Sequence, residues 1–378
     1  MVDSAKAQTT RQMRQTRPVT RVRISDVASH LGLTKSTVSR ALNGYPDIAE
    51  ATRARVQKAV RDMGYRPMPG AQAIRTGRAR ALALVLELDA HDQFSPFLAE
   101  FLGGVTQAAS AEGWSLTVAS AAYGPQMRQV VDRLIDEQKA DGFIIPRTRV
   151  SDDRIIHLGE KQVPCVLYGR TGADDDKTAQ HSWYDIDGFD AFRRATLRLA
   201  EQGHTRIGFV GFDETFKFTH LREQGFKAGM DEAGLELDES LIWRGAMNTI
   251  GGWQATRDLM TTGTPPTALV MTTDEVALGA YEAASELGIE IGSDLSIIAY
   301  DGIPRGRLTR PRLTTYRVDN AAAGAALAGL LIRQLRGEDP RDLRDIAQAT
   351  LQPGGSDGPP VLSSAQLASK ISSNSGTF

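Results

Sequence analysis

Apolar residues in the first part of the chain recur with the spacing of three short amphipathic helices. The first two helices are predicted to begin at the capping residues Ser25 and Thr34, and the third is predicted over 49–63. Their apolar faces contain Val27, Ala28, Leu31, Val38, Ala41, Leu42, Val56, Val60 and Met63. Two helices joined by a tight turn at Gly32, the second opening with small polar residues, are typical of a helix-turn-helix.

The pattern changes after residue 80, where short apolar runs alternate with amphipathic segments. This alternation predicts doubly wound α/β lobes with parallel sheets, and the units are too many for one small sheet, so we expect two similar lobes. The chain is predicted to pass to the second lobe near 188–204 and to return near 300–314. The predicted strands contain Leu82–Leu86, Leu116–Ala119, Phe143–Ile145, Val166–Leu167, Ile207–Val210, Leu269–Met271 and Ile297–Ala299.

Composition places the boundaries between the predicted domains. Residues 1–21 are polar and basic and are expected to be a disordered extension. The helix-turn-helix domain is predicted over 22–66, a Pro- and Gly-containing linker over 67–78, and the two-lobed core over 79–353. The Gly-, Ser- and Pro-rich stretch 354–378 is expected to be a flexible tail.

Charge divides the chain in the same way. Residues 1–80 contain 16 Lys and Arg against 5 Asp and Glu, whereas residues 81–378 contain 28 against 41, so a net charge of −2 conceals a basic head on an acidic body. A basic head is expected to meet a polyanion. The length of 378 residues allows two or three domains, and no apolar run is long enough for a membrane span.

Several classes of protein and site are excluded or disfavoured. The polar N-terminus lacks the apolar centre of a secretory signal, so we expect a cytoplasmic protein. The single Cys165 forbids an intrachain disulfide and is expected to be a small buried hydrophobe. The phosphate-loop, dinucleotide, nucleophile-elbow and zinc-protease motifs are all missing, so we predict no enzyme, no catalytic residue, no cofactor and no metal.

The second helix has the side chains of a helix that reads the major groove. Lys35, Ser36 and Arg40 project from the side opposite its apolar residues, and such cations and hydroxyls bond to base edges. Short donors suited to phosphates are Thr34, Thr37, Ser39 and Asn43. The alternative is an ordinary surface helix with a hydrophilic face.

The stretch "VRISDVASHLGLTKSTVSRALNGYPDIAEATRARVQKAVRDMGYRP" resembles the headpiece of the LacI/GalR transcriptional repressors. "LAEQGHTRIGFVG", "LREQGFKAGM", "PTALVMTTDEVALGA" and "DLSIIAYDGIP" are similar to the core of that family, so the resemblance covers about 22–353. It implies a homodimeric repressor with two Rossmann-like, periplasmic-binding-protein-like lobes, an effector between them and a near-palindromic DNA operator.

The resemblance also implies that the linker forms a short hinge helix on DNA. In that reading Ile74 wedges into the minor groove, as a branched apolar side chain can. Further DNA contacts are implied for Ala71, Gln72, Arg75 and Arg78. Met68 replaces the usual Asn cap and Gly70 weakens the helix, so we expect it to order only on the operator. The alternative is a passive linker.

Candidate effector contacts lie where strands end. Asp301 comes just after the apolar strand 297–300, at the carboxyl end where doubly wound sheets bind ligands. The full set of candidates, drawn from strand ends and from the resemblance, is Asp301, Arg222, Trp183, Thr273, Arg147, His91 and Phe94. Asp301 is alternatively a turn residue and Arg222 a surface ion pair. For Trp183, Thr273 and Arg147 the alternative is a structural role. Asp274 is expected to cap the helix 274–287, and His204 is expected to be structural.

An acceptor, a donor and a flat aromatic ring suit a neutral sugar or glucoside, and "HSWYDIDG" and "PRTR" are similar to repressors of glucoside or disaccharide uptake. A purine co-repressor is the alternative effector. A sugar-binding receptor of a transport system, which needs no residues 22–80, is the alternative from another class. The tail has no leucine heptad, so we expect a dimer rather than a tetramer.

Overall fold

The computed structural model describes residues 22–65, 78–87, 97–172 and 180–375. It divides into two compact units, Met1–Gly77 and Arg78–Phe378. The predictions for the extension 1–21 lie outside the described residues. So do the prediction of a hinge helix and the predictions for Ala71, Gln72, Ile74, Arg75, His91 and Phe94.

The first unit contains the three predicted helices. They are α1 (Ile24–Leu31), α2 (Lys35–Leu42) and α3 (Glu50–Met63). Their shared core is built from Val27, Ala28, Val38, Ala41, Val56 and Ala59, with larger apolar residues packed around it. The spacing of apolar residues therefore predicted this unit correctly, because each helix buries one local stripe.

Of the two helix caps predicted in the first unit, one is wrong. Helix α1 begins after Arg23 rather than at Ser25, and the Asp26 carboxylate accepts the Arg23 backbone N–H at 2.8 Å. A carboxylate three residues into a helix can reach back to a free N–H in this way, and the sequence pattern did not weigh it. The Thr34 hydroxyl does cap α2, accepting the Thr37 N–H at 3.1 Å.

The second unit contains two six-stranded sheets, one for each lobe. The first sheet contains β1 (Ala81–Glu87), β2 (Ser115–Ala121), β3 (Gly142–Ile145), β4 (Cys165–Tyr168), β5 (Ser182–Ile186) and β11 (Arg344–Ala347). The second contains β6 (Ile207–Val210), β7 (Ile242–Trp243), β8 (Ala268–Met271), β9 (Ser296–Asp301), β10 (Thr314–Arg317) and β12 (Thr350–Gln352). The strand orders are β11-β5-β4-β3-β1-β2 and β12-β10-β9-β8-β6-β7. All pairs are parallel except β10 with β12, which confirms two doubly wound lobes.

Helices cover the sheets on both faces. They are α4 (Phe97–Ala111), α5 (Pro125–Asp136), α6 (Asp153–Glu160), α7 (Gly188–Glu201), α8 (Lys217–Glu232), α9 (Thr249–Met260), α10 (Asp274–Leu287), α11 (Asn320–Leu335) and α12 (Ser364–Ser375). In β1, Leu82 and Leu84 face a core shared with α4 and α11, whereas Ala83 and Val85 face a core shared with α5 and α6. Across the described ranges, no helix has the length and apolar character needed to span a bilayer.

The chain passes between the lobes three times. It leaves the first lobe between β5 and α7, as predicted near residue 188, returns between β10 and α11, and crosses again between β11 and β12. The return was predicted too early, within 300–314. Strand β10 pairs residue for residue with β9, Thr314 with Ile298 and Arg317 with Asp301, so 301–317 stays in the second lobe.

The prediction of a flexible tail over 354–378 is wrong for residues 354–375. Ser356 is fully buried, and its hydroxyl donates to the Ile297 carbonyl at 2.6 Å while accepting the Thr314 N–H at 2.8 Å. Helix α12 then packs Leu367 and Ile371 into the core around α10. The composition misled because small polar residues that look like linker here make hydrogen bonds to strands distant in sequence.

Replacing Leu367 with Ala is expected to lower the free energy of unfolding by about 2–4 kcal/mol, because a fully buried leucine leaves a cavity. Urea denaturation measures this value. Val361→Ala is the matched control, since that side chain is 69% exposed and its truncation is expected to cost less than about 0.5 kcal/mol. Equal effects of the two substitutions would contradict a structural role for α12.

Candidate functional site

Helix α2 separates a buried face from an exposed one. Val38 and Ala41 have 0% and 1% of their surface exposed and face α1 and α3. The candidate contacts Thr34, Lys35, Ser36, Arg40 and Asn43 are exposed, and Thr37 and Ser39 are half-buried. The helix therefore presents its cations and hydroxyls outward as one strip.

Arg40 has partners that the sequence pattern did not identify. Its guanidinium forms an ion pair with Asp47 and lies 5.2 Å from the centre of the Tyr45 ring. Both partners follow α2, so the guanidinium is oriented before it meets any ligand. Two candidates already make local bonds, because Thr34 caps α2 and the Asn43 amide donates to the Ser39 carbonyl.

In the second unit, charged side chains gather at the carboxyl ends of strands from both lobes. Asp301 ends β9 and has a positive φ of 117°, which aspartate tolerates better than most residues. Burial raises the pKa of Asp301 to about 6, although the nearby guanidinium groups of Arg222 and Arg147 act to lower it. Arg147 follows β3 in the first lobe, so the structure brings Asp301, Arg222 and Arg147 together, as the candidate set requires.

Arg222 extends from α8 into this cluster. Its Nη1 donates to the Thr272 carbonyl at 2.6 Å, and the guanidinium carbon lies 4.0 Å from the centre of the Tyr300 ring. Its Nε is buried, and among the described residues nothing accepts a hydrogen bond from it. A buried donor without an acceptor is costly, so this N–H is suited to a ligand or a water molecule. The side chain passes close to Gly188, where a Cβ would lie 3.3 Å from the Arg222 Cγ.

Thr273 and Asp274 both have structural roles at the start of α10. The Thr273 hydroxyl is the cap of α10 and accepts the Val276 N–H at 3.2 Å, so the prediction that Asp274 caps this helix is wrong. The fully buried Asp274 carboxylate instead accepts from the Thr315 hydroxyl and from the Ile303 N–H at 2.7 Å. Burial and the Asp301 charge raise the pKa of Asp274 to about 8. Asp274 therefore holds the turn that follows Asp301.

Trp183 lies in β5 and packs against the apolar core between the first sheet and α5 and α6. The cation over its ring is Arg170, at 5.9 Å, rather than Arg222. Its indole N–H is buried and has no acceptor within the described ranges. A stacking role for Trp183 stays a prediction.

Several residues of the cluster were missed. Arg170 follows β4 and Asp185 lies in β5. The two side chains form an ion pair at 2.8 Å, and burial raises the pKa of Asp185. Phe212, Phe216 and Phe218 form a triplet with ring centres 5.5–5.7 Å apart. Of the three only Phe218 is half-exposed, and Arg222 lies 4.6 Å from the centre of its ring. Arg170 and the three phenylalanines follow the carboxyl ends of strands in the sequence, and this position could have identified them as candidates.

Two residues set aside as structural are buried. His204 is 2% exposed and makes hydrogen bonds with the Thr267 and Ser296 hydroxyls and the Gly358 carbonyl, at 2.8–3.0 Å. Cys165 is 4% exposed, and burial raises the pKa of its thiol to about 12. Neither group faces the charged cluster.

Both units match known families. The model described as "Bacterial regulatory proteins, lacI family" matches residues 23–68, and the "Periplasmic binding protein-like domain" model matches 196–356. The chain is 33% identical over 345 residues to the HTH-type transcriptional regulator AglR of Rhizobium meliloti (strain 1021), covering 89% of this chain and 95% of that protein. The chain belongs to the LacI family. It is therefore a DNA-binding transcriptional repressor and not an enzyme.

Two solved structures of the family resemble this fold. A complex described as "transcriptional regulator CelR-cellobiose complex" is 27% identical to this chain and has a TM-score of 0.69. The match covers 89% of this chain and 100% of that chain. The lac repressor dimer bound to operator and the anti-inducer ONPF has a TM-score of 0.76 at 21% identity, with 89% of this chain and 99% of that chain covered. The second likeness bears on the fold alone.

Proposed function

We propose that a sugar or glucoside, bound between the two lobes, controls the affinity of this repressor for its operator. The observation that carries the proposal is the juxtaposition of the Asp301 carboxylate with the Arg222 guanidinium at the carboxyl ends of the strands. The cellobiose complex of the similar CelR structure supports this class of ligand.

The chemistry of these side chains suits vicinal hydroxyl groups. The two oxygens of Asp301 accept from neighbouring hydroxyls, while the unpartnered Nε of Arg222 donates to another. The half-exposed ring of Phe218 offers an apolar surface to the carbon face of a sugar. Convergent polar groups beside an aromatic wall are typical of small-molecule sites.

For the DNA side we propose a homodimer that places α2 of each subunit in the major groove of a near-palindromic operator. Lys35, Ser36 and Arg40 read base edges, and the short donors of α2 contact phosphates. The exposed strip of α2 and the membership in the LacI family support this arrangement.

A thermal-shift screen tests the effector class. Mono- and disaccharides, purines and buffer alone are compared with the full chain, because a ligand at a hundred times its Kd stabilises a protein by about 2.7 kcal/mol. We expect a sugar to raise the Tm, and Asp301→Asn to remove that increase. A rise with purines and none with sugars would contradict the proposal.

Arg40→Ala is expected to weaken binding to the specific operator by about 1–3 kcal/mol and to relax the preference at one base pair. The operator is the duplex that the wild-type protein selects from a randomised pool, and fluorescence anisotropy gives both affinities. The control is Lys58→Ala, which removes an exposed cation of α3. If Arg40→Ala weakens the binding of all DNA sequences by the same factor, Arg40 contacts a phosphate rather than a base.

Effector affinity is expected to fall as the pH decreases through about 6. The pKa of Asp301 is raised to about 6 in the unliganded protein, and we expect the ionised carboxylate to be the form that accepts from sugar hydroxyls. Protonation then competes with binding, so affinity is highest above the pKa and is lost below it. Calorimetric titration from pH 7.5 to 5 with the sugar found in the screen measures the midpoint. An affinity that does not change over this range would contradict the role of Asp301.

A further inference from the structure

Besides the three chain crossings, the two lobes touch through a pair of loops. The first-lobe loop follows β3 and the second-lobe loop follows β6, so both start at carboxyl ends of strands. Arg149 and Phe216 form an antiparallel bridge, in which Val150 N–H donates to the Thr215 carbonyl and Lys217 N–H to the Thr148 carbonyl, both at 3.0 Å. We name residues 148–150 and 215–217 the interlobe clasp.

The Arg149 side chain contacts residues of both lobes at the interlobe clasp. Its guanidinium makes two hydrogen bonds of 2.8 Å with the Glu87 carboxylate, and the side chains are only 13% and 19% exposed. The same guanidinium lies 3.6 Å from the centre of the Tyr123 ring and 4.7 Å from that of Phe216. Glu87 and Tyr123 belong to the first lobe and Phe216 to the second, so one cation holds both. Little exposure means that solvent screens these contacts weakly.

The clasp continues into the candidate effector site. Phe216 stacks on Phe218, with ring centres 5.6 Å apart and planes 25° apart. Phe218 in turn lies under the Arg222 guanidinium, which also covers Tyr300 beside Asp301. The position of the second-lobe loop therefore bears on Phe218 and Arg222, two of the side chains that we assign to the effector.

We propose that Arg149 is a positioning residue: by closing the interlobe clasp it holds Phe218 and Arg222 in place and sets the balance between lobe arrangements. The effector part of this inference rests on the proposed function. A residue that stabilises the arrangement to which the effector binds acts in the same direction as the effector itself. Removing it must therefore weaken effector binding and move operator affinity the opposite way.

Hydrogen exchange tests the clasp without any ligand. In Arg149→Ala, the amides of Val150 and Lys217 are expected to exchange at least about tenfold faster, while amides inside β1 and β3 keep their rates. Arg149→Lys retains the charge but loses the bidentate pair with Glu87, so its exchange rates are expected to lie between those of the wild type and Arg149→Ala. Arg128→Ala, which removes an exposed ion pair of the same lobe, is the control and is expected to leave both amides unchanged. Unchanged exchange in Arg149→Ala overturns the clasp.

Operator and sugar affinities test its regulatory role. With the selected duplex and no ligand, Arg149→Ala is expected to shift operator affinity about fivefold or more, opposite to the shift that the sugar found in the screen causes in the wild type. Sugar affinity is expected to fall by a similar factor. An operator affinity equal to the wild type, or shifted in the same direction as the sugar shifts it, overturns the inference. If no sugar binds the wild type, the proposed function fails, while hydrogen exchange and the ligand-free operator affinity still decide the clasp.

Discussion

Replacing Asp301 with Asn is expected to abolish the response to the sugar effector and to leave operator binding as it is in the wild type. The amide keeps the size of the side chain and tolerates the positive φ of this position, so the backbone is preserved. It loses the charge and one acceptor, and hydrogen bonds to a charged group are worth about 1.5–3 kcal/mol each. Two such bonds correspond to a loss of sugar affinity of roughly 100-fold or more.

Calorimetry with the sugar and anisotropy with the selected duplex, with and without sugar, measure the two affinities. Asp231→Asn is the matched control, because it makes the same change at an exposed position of α8, the helix that carries Arg222. We expect the control to behave as the wild type. Weaker operator binding by Asp301→Asn in the absence of sugar, or a normal response to sugar, would contradict the site assignment.

Removal of residues 1–77 is expected to eliminate operator binding and to retain sugar binding. The first unit contains α2, and the remaining residues 78–378 have 30 Lys and Arg against 41 Asp and Glu, so their net charge repels DNA. The loss on the selected duplex is expected to reach about 1,000-fold, the lower end of the usual gap between specific and non-specific binding.

The structure also decides where this cut belongs. Ala79 N–H donates to the Asp141 carboxylate at 2.8 Å, and the Arg80 carbonyl accepts the Ser115 N–H at 2.9 Å. A cut after residue 80 removes these contacts from the core, whereas a cut after residue 77 keeps them. Anisotropy and calorimetry again give the two affinities. DNA binding by 78–378 with wild-type affinity would contradict the assignment of DNA recognition to α2.

The mechanism proposed here joins the two sites by linkage. If the sugar weakens operator binding, the operator must weaken sugar binding by the same factor, and a co-repressor would couple them with the opposite sign. In our proposal, the interlobe clasp is the contact that differs between lobe arrangements, as such coupling requires. Arg149 is therefore the position at which the coupling can be changed without removing a group that we assign to the sugar.

Prediction from sequence succeeded where the signal is local. The three helices of the first unit follow from apolar residues three and four positions apart, and the seven predicted strands from short apolar runs. The pattern missed β5, β7, β10, β11 and β12. In β5 and β10, polar residues such as Asp185 and Thr314 interrupt the apolar pattern, although both are buried. The tail was misjudged for the same reason, since Ser356 is polar and yet fully enclosed.

The candidate site also contains features that local sequence signals indicate and features that depend on distant contacts. The strand-end position of Asp301 and the family resemblance of the segment around Arg222 were enough to select both side chains, and the pattern of α2 was enough to select its outward face. Three contacts could be identified only in the folded molecule. They are the pairing of Arg170 with Asp185, the packing of Arg222 on the Phe218 and Tyr300 rings, and the bridge from Arg149 to Phe216. These contacts join segments far apart in the chain, and a pattern of neighbouring residues contains no record of which distant segments the two lobes bring together.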